Sequence, residues 1–484
     1  MAFRHGVRTS ETPTSVISPV EATAGLQVVI GTAPLNLAKT NEYINKPLLA
    51  YQFDEAVQAL GYSNNWKDYT LCEVMDAAFR LYGVAPVVFI NVLDPKKHKS
   101  EGNEEVSILN KKAVVSVEGI LLDTLKVSLT ETGQEFLSVD EDYIATFDEN
   151  GKVNIAVVPG GKIPQEQTSL YVSFSKIDPK MVTKTDIIGG IDIDTGDSTG
   201  LELINSVFPK FGLVPGQILA PGFSHDPTVE AVMKAKAGVI NSYFKAVAIV
   251  DIDTTEADTY TKVSEWKNKN NYTAANEFPC WPKVGLGEKV YHMSTQLASL
   301  ITLTDSKFDD IPYVSPSNQS FQMNKAVLES GKEVNLGPDQ AEYINGQGIV
   351  TALNFIGGWK AWGNRTGAYP GTNDVKDVFI PVRRMHNWVA NTLILTTWSK
   401  VDGPINRTLI DSIVDSVNTW LNGLTNTGAL IGARVVCRKE DNPTTNLLNG
   451  KVKYKLFIAE PTPGEDFEFD IEFDATYYNR LFQQ

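Results

Sequence analysis

The chain has 484 residues, of which 42% are apolar, 10% aromatic and 21% charged; that balance folds and, at this length, divides into roughly two to four domains. Its 43 basic and 58 acidic side chains leave a net charge of −15, which argues against nucleic acid or an anionic membrane as the main partner. No apolar run is long enough to span a bilayer, and the opening Met1-Ala2-Phe3-Arg4-His5-Gly6 carries no export h-region.

The first segment, residues 1–22, has no helical period and carries Arg4, His5, Arg8, Pro13 and Pro19. It reads as a basic, extended arm with Val7, Val16 and Ile17 available to anchor it. An α/β pattern follows over 23–95. Residues 26–34 form a buried strand ending in a turn, 45–50 a short extended piece, and 53–61 a short helix with Asp54 near its start and Gly61 past its end. Residues 70–83 spell a longer amphipathic helix, with a Thr70-x-x-Glu73 capping box and Gly83 as its stop. Residues 86–92 are a fully buried strand.

Residues 96–186 break that pattern. They open with the charged run Lys96-Lys97-His98-Lys99-Ser100-Glu101. Short alternating strands follow at 114–117, 125–129, 143–147, 153–158 and 170–174, with Asp148-Glu149-Asn150-Gly151 as a hairpin turn. The spacing predicts an inserted all-β domain, a sandwich or a barrel. The α/β core resumes over 187–375, with strands expected at 217–222, 246–253 and 346–353 and a helix at 226–241. The stretch 290–303 is readable as either helix or strand.

The segment 376–459 is helix-rich. One long helix covers 377–398, with Pro381 in its first turn or before it. A second covers 407–421, where Leu409, Ile410, Ile413, Val414, Val417, Trp420 and Leu421 share one stripe. Residues 428–436 lead into a strand. In 451–458 apolar residues alternate with lysines, as in a strand with one face to bury. Glu460-Pro461-Thr462-Pro463-Gly464 then interrupts it as an extended spacer. Beyond the spacer Phe467, Phe469, Ile471 and Phe473 take one side, and Glu468, Asp470, Glu472 and Asp474 the other. An aromatic-faced strand with nothing after it to cover its edges needs a partner. That partner is a sheet elsewhere on the same molecule or on a neighbouring copy.

Catalytic signatures are sparse. There is no Gly-x-x-x-x-Gly-Lys-Ser/Thr and no Gly-x-Ser-x-Gly, and Gly285-Leu286-Gly287 lacks the third glycine of a dinucleotide loop. The histidines His5, His98, His225, His292 and His386 have no metal-ligand spacing. Cys72, Cys280 and Cys437 lie too far apart in sequence for a metal knuckle, and their odd number suits a reducing compartment at synthesis. Asp251 with Asp253 at a strand end, and His225-Asp226, are the best acidic candidates; strand-end capping is their ordinary explanation. No cofactor, metal or catalytic residue is expected.

Several runs together resemble one family. They are Gly358-Trp359-Lys360-Ala361-Trp362-Gly363-Asn364-Arg365-Thr366, Arg383-Arg384-Met385, Trp388-Val389-Ala390-Asn391-Thr392-Leu393 and Asn406-Arg407. Upstream stand Ile218-Leu219-Ala220-Pro221-Gly222-Phe223-Ser224 and Pro312-Tyr313-Val314-Ser315-Pro316-Ser317-Asn318, and the chain closes on Asn442-Pro443-Thr444 and the Pro461-Thr462-Pro463 spacer. In order and spacing they are similar to the contractile tail sheath proteins of bacteriophages and phage-tail-like bacteriocins. The likeness runs from about residue 6 to the end, the β-rich insert excepted.

The resemblance implies a non-enzymatic structural subunit. Family sheaths stack as rings around a rigid inner tube, and their terminal arms add strands to sheets in neighbouring subunits. Contraction releases energy stored in the extended assembly and drives the tube through a target envelope, so no nucleotide is called for. The expected fold is an α/β core (mixed α+β) with an inserted all-β domain and a C-terminal α+β domain ending in an exchanged β-strand arm. The strand-exchange residues would be Val7, Val16, Ile17, Phe467, Phe469, Ile471 and Phe473, with 460–484 as the C-terminal arm. Expected partners are further copies of the chain, the inner tail tube protein, baseplate and tail terminator proteins, with no nucleic acid and no direct membrane insertion. Assembly would take place in the bacterial cytoplasm, before release as part of a virion or phage-tail-like particle. Family sheaths grip the tube through a helix in the C-terminal third. The 407–421 helix is the candidate, offering Asp411, Asp415, Asn418 and the following Asn422; a core-packed helix with a solvated face is the alternative. Two rival classes are an α/β hydrolase-like enzyme with a β-rich accessory module, and a surface-layer or adhesion protein, which the missing export signal disfavours.

Overall fold

A computed structural model describes residues 19–482, apart from 41, 132 and 134. Val7, Val16 and Ile17 therefore lie outside the described residues.

Continuous apolar runs build the centre. Strands β1 (Gln27–Gly31), β2 (Leu48–Ala50) and β3 (Val87–Asn91) come first. Between them lie helices α1 (Phe53–Leu60) and α2 (Thr70–Met75), the latter continuing as a π-helical stretch over Asp76–Tyr82. Later in the chain β10 (Gln217–Leu219), β11 (Val247–Asp251) and β12 (Glu277–Cys280) complete a six-stranded sheet in the order β12-β11-β10-β1-β3-β2. Every pairing is parallel except β2 with β3. Strands such as Val247–Asp251, buried along their whole length, suit a parallel sheet covered on both faces. Helices α3 (Pro227–Gly238), α4 (Tyr260–Lys269) and α5 (Met293–Ser306) lie between or after these strands, and α3 and α5 pack on β10 and β11.

The capping box does not form. Tyr69 is the N-cap of α2, and the Thr70 hydroxyl lies 3.3 Å from the Thr32 amide that donates to it. Glu73 is 1% exposed and accepts from the His292 backbone amide at 2.6 Å, its other oxygen 2.8 Å from His292 Nδ1. A buried carboxylate is worth more against a tertiary partner than at a helix end that water could satisfy. The ambiguous stretch 290–303 resolves into a short strand (Lys289–Tyr291) followed by α5.

Between β3 and β10 the chain forms β4 (Lys99–Ser107), β5 (Lys112–Glu118), β6 (Lys126–Ser128), β7 (Tyr143–Phe147), β8 (Lys152–Val157) and β9 (Ser169–Ile177). They make two three-stranded sheets, β4-β9-β6 and β5-β8-β7. Val115, Val127, Tyr143, Ile155, Val172 and Phe174 belong to a second core separate from the main one. Of the charged opening run, Lys99, Ser100 and Glu101 begin β4, whose inward face is mostly small or polar. Gly102 pairs with Phe174, and a Cβ there would come within 2.7 Å of the ring, so the strand carries a glycine where hydrophobic periodicity would ask for a bulky residue.

The C-terminal part contains α6 (Ile380–Thr397), with Pro381 in its first turn, and α7 (Arg407–Asn426), capped by Asn406 accepting from the Leu409 amide at 2.8 Å. The strands β13 (Gly432–Val436) and β14 (Lys455–Ala459) pair antiparallel as an isolated two-stranded sheet that packs on α7. Ile413, Val417, Leu421 and Leu424 face the core, and Trp388 of α6 meets Trp420 of α7 at 5.6 Å between ring centroids.

Candidate functional site

Three surfaces bear on function: the C-terminal arm, the exposed face of α7, and a cleft at the end of the central sheet.

After β14 the arm leaves the body. Residues 460–474 belong to no helix or strand, and a short 3-10 helix (Ala475–Phe482) follows. Phe467, Phe469, Ile471 and Phe473 are 77%, 84%, 90% and 76% exposed. The acidic residues between them are exposed too, and among the described residues this segment joins no ladder. The root of the arm is fixed. Glu460 lies 3.1 Å from His386 on α6, and Glu465 receives both Nε and Nη2 of Arg365 at 3.3 and 2.5 Å. Arg365 also lies over the rings of Tyr369 and Phe379 at 4.1 and 5.0 Å, which pre-orients its planar fork. Sequence reasoning quoted Arg365 within a family-like run without assigning it this role; a lone arginine in a loop carries no periodic signal.

Both outer edges of the β13–β14 sheet are unpaired among the described residues. The sheet and its flanks are basic, with Arg434 and Arg438 at 4.6 and 5.2 Å from the Phe457 ring and Lys451, Lys453 and Lys455 exposed. Four acidic residues alternate with the arm's aromatics, so arm and sheet are of opposite charge.

On α7, Asp411, Asp415 and Asn422 are exposed. Asp411 pairs with Arg407 one turn earlier at 3.2 Å. Asn418 is placed differently: its amide donates to Val435 O at 3.1 Å and its carbonyl accepts from Val435 N at 2.8 Å. It clips α7 to the edge of β13 and is not a free polar group on an outer face.

A cleft of about 600 Å³ opens beyond the C-terminal ends of β10, β11 and β12, lined among others by Glu73, His225, Asp251, Asp253, Lys283 and His292. This is where α/β sheets place ligands, and it gathers the acidic candidates. Asp251 is held fast: Oδ2 accepts from Ser224 and Ser294 hydroxyls at 3.2 and 2.5 Å, and Oδ1 from the Ser294 amide at 3.0 Å. Asp253 caps its own turn, accepting from Thr255 N and Oγ1 at 2.7 Å each. Desolvation pushes the His225 imidazole below its ordinary pKa, with Asp253 pulling the other way. His225-Asp226 do not act together, because Asp226 caps α3 and pairs with Lys184. Among the described residues no group of three or more His, Cys, Asp or Glu side chains is arranged to hold a metal ion.

No family model matches the chain. Curated relatives do, two of which follow. The chain is 27% identical to the tail sheath protein of Burkholderia phage BcepMu, over 98% of each sequence. It is 30% identical to the major tail sheath protein of Serratia phage KSP20 over 133 residues, 28% of this chain and 33% of that protein. Among solved structures, the sheath of the PVC extracellular contractile injection system in its contracted state superposes with a TM-score of 0.58 at 14% identity, covering 99% of each chain. The contracted helical sheath of the anti-feeding prophage gives 0.56 at 14% identity, covering 97% of this chain and 99% of that one. These structures share the mixed α/β fold from end to end. The chain is thus similar over its full length to a phage tail sheath protein and shares the fold of contractile sheaths.

Proposed function

We propose that the chain polymerises as stacked rings around an inner tube, joined by arms that add strands to neighbouring β13–β14 sheets. The observation that carries this reading is the exposure of Phe467, Phe469, Ile471 and Phe473 on a segment with no ladder among the described residues, beside a basic sheet whose β14 edge pairs with no further described strand. Burying each such side chain is worth about 1.5–3 kcal/mol, against about 1–2 kcal/mol for ordering each backbone residue. One arm alone sits near balance, and a closed set of arms is held by multivalency. Residues 1–22, with Val7, Val16 and Ile17, would supply the second strand.

In this reading 23–95 with 187–375 form the core of each ring, 96–186 faces outward, 376–459 lies next to the tube, and 460–484 is the exchange arm. Baseplate and tail terminator proteins bound the polymer. Subunits assemble in the bacterial cytoplasm and leave in the finished particle. The energy of contraction resides in the metastable extended lattice.

Electron microscopy of the purified chain, intact and cut after residue 459, tests this. The intact chain should form rings or tubes, alone or on tube and baseplate, and the truncated chain should remain a folded, soluble subunit. Full-length tubes from the truncated chain would overturn the arm exchange. A compact monomer that never polymerises would overturn the sheath assembly itself.

A further inference from the structure

Four side chains on one face of α6 hold the segment that leads in from the N-terminal arm. Thr396 Oγ1 accepts from the Val20 amide at 3.0 Å, and Thr392 Oγ1 from the Ala22 amide at 3.1 Å. Trp388 Nε1 donates to Ala22 O at 2.8 Å, and Arg384 Nη2 to Ala24 O at 3.4 Å. Positions 384, 388, 392 and 396 are four apart, so they climb one side of the helix. Four helical residues rise about 6 Å, and two residues of extended chain about 6.7 Å. The steps from 396 to 392 and from 388 to 384 each advance the bound segment by two residues, and the step between them uses the N–H and the C=O of Ala22.

The C-terminal arm is rooted on the same helix from another side. His386 meets Glu460, the first residue after β14. His386 is two positions from both Arg384 and Trp388, about 200° around the axis. Between the two roots α6 is pinned to the core. Arg384 pairs with Asp305 of α5, Asn387 donates to Ala246 O at 3.3 Å, and Asn391 exchanges two hydrogen bonds with Lys245 at 3.0 and 2.8 Å.

We propose that α6 is a common shaft for both arms, so that pull on the N-terminal arm reaches the C-terminal arm of the same subunit through one helix. This rests on the arm-exchange reading. Thr392, Thr396 and His386 are then positioning residues for assembly. None of them is part of the strands exchanged, and each sets where an arm leaves the body. A lattice whose subunits rotate while staying linked needs both exit points to move as one rigid piece.

The test uses full-length chains. One variant is Thr392→Val with Thr396→Val, which keeps shape and removes both acceptors of the N-terminal root. The other is His386→Leu, which frees the C-terminal root. Chains lacking residues 1–18 or 466–484 serve as references. The yield of full-length sheath, counted by electron microscopy, should fall about tenfold or more in both root variants, the scale set by losing one or two hydrogen bonds per subunit. The unfolding midpoint of the free subunit should stay within a few degrees. Root variants that polymerise as the parent does, while the arm deletions do not, overturn the shaft and leave the exchange standing. Deletions that polymerise normally overturn the exchange reading and the shaft with it. If a root variant fails to fold, Val20→Cys with Thr396→Cys replaces it. Oxidised, this chain should give parental sheath length, and reduced, shorter sheath; equal lengths overturn the proposal.

Discussion

Arg384 and Asp305 close on each other inside the protein. Nη1 lies 2.9 Å from Oδ1, Nη2 bonds Oδ2, and the two side chains are 3% and 2% exposed. The pair ties α6 to α5, and through α5 to the central sheet. Removing one partner leaves the other charge buried and unpaired, so Arg384→Met alone should cost about 3–5 kcal/mol in denaturant unfolding. Arg384→Met with Asp305→Leu should recover most of that loss, because a packed apolar pair needs no desolvation of charge. Strictly additive losses in the two single variants and the double would show that the ion pair is not the source of the coupling.

Lys267 is a second buried charge with a different signature. It is 1% exposed, and its ammonium donates to the carbonyls of Gln347, Gly367 and Tyr369 at 2.7, 2.7 and 3.0 Å. Burial lowers its pKa from 10.5 to about 8. Between those values the unfolded chain holds the proton and the folded chain does not. The unfolding free energy should therefore rise as pH goes from about 8 towards 10.5. Glu277 runs the other way: burial and the neighbouring Glu230 raise it well above 4.5, so its contribution falls as pH climbs from there. Subtracting the pH profile of Lys267→Met from that of the parent isolates the first slope. A difference that is flat from pH 8 to 10 would mean that Lys267 keeps its proton in the fold.

Much of this architecture is legible in the sequence where periodicity carries it. The runs around Val28, Val88 and Ile249 announce buried parallel strands because both of their faces are covered, and α7 shows its stripe because only one of its faces is. The strand Glu277–Cys280 escaped because four residues containing Pro279 show no period. Helix α4 escaped because Val263 and Trp266 are its only buried apolar residues. Strand β4 escaped because Ser100, Gly102 and Glu104 leave Val106 as the one apolar residue on its inner face. The candidate site splits in the same way. The arm's alternation is local and readable, whereas its anchors Arg365 and His386 lie 100 and 74 residues from Glu465 and Glu460. Asn418 looks like any exposed polar residue on a helix until the fold brings Val435 to it.

The β-rich insert should be removable. Lys99 and Ile177 are cross-strand neighbours, and Asp178 N donates to His98 O at 2.8 Å, so the two ends of the insert already lie side by side. Its core is separate from the main one. A chain lacking 99–177, closed by a short glycine-serine joint, should fold with an unchanged central sheet and still polymerise. Loss of polymer from a chain that stays folded would place an assembly contact on the insert.

The exposed face of α7 yields the last prediction. Asp411 and Asp415 lie one turn apart, and Asn422 continues the polar surface beyond the clip that Asn418 makes to Val435. If this face meets the tube, a complementary tube surface offers lysine or arginine. Exposed pairs of that kind are worth about 0–1 kcal/mol each and are screened by salt. Many weak contacts along a tube give a grip that releases when subunits move outward, whereas a few strong ones would resist contraction. Reversing Asp411 and Asp415 to Lys should leave subunit stability nearly unchanged. Among the described residues the ion-pair partner disturbed is Arg407, 92% exposed and therefore worth little. Assembly on tube and baseplate should weaken in the extended state at low ionic strength, while contracted sheath should form as before. Asn418→Ala should behave differently: it removes two hydrogen bonds to β13 and should lower subunit stability by about 1–3 kcal/mol. Extended assembly that is indifferent to both charge reversals would assign the grip to another surface, and the acidic face of α7 would then be a solvated side of a core-packed helix.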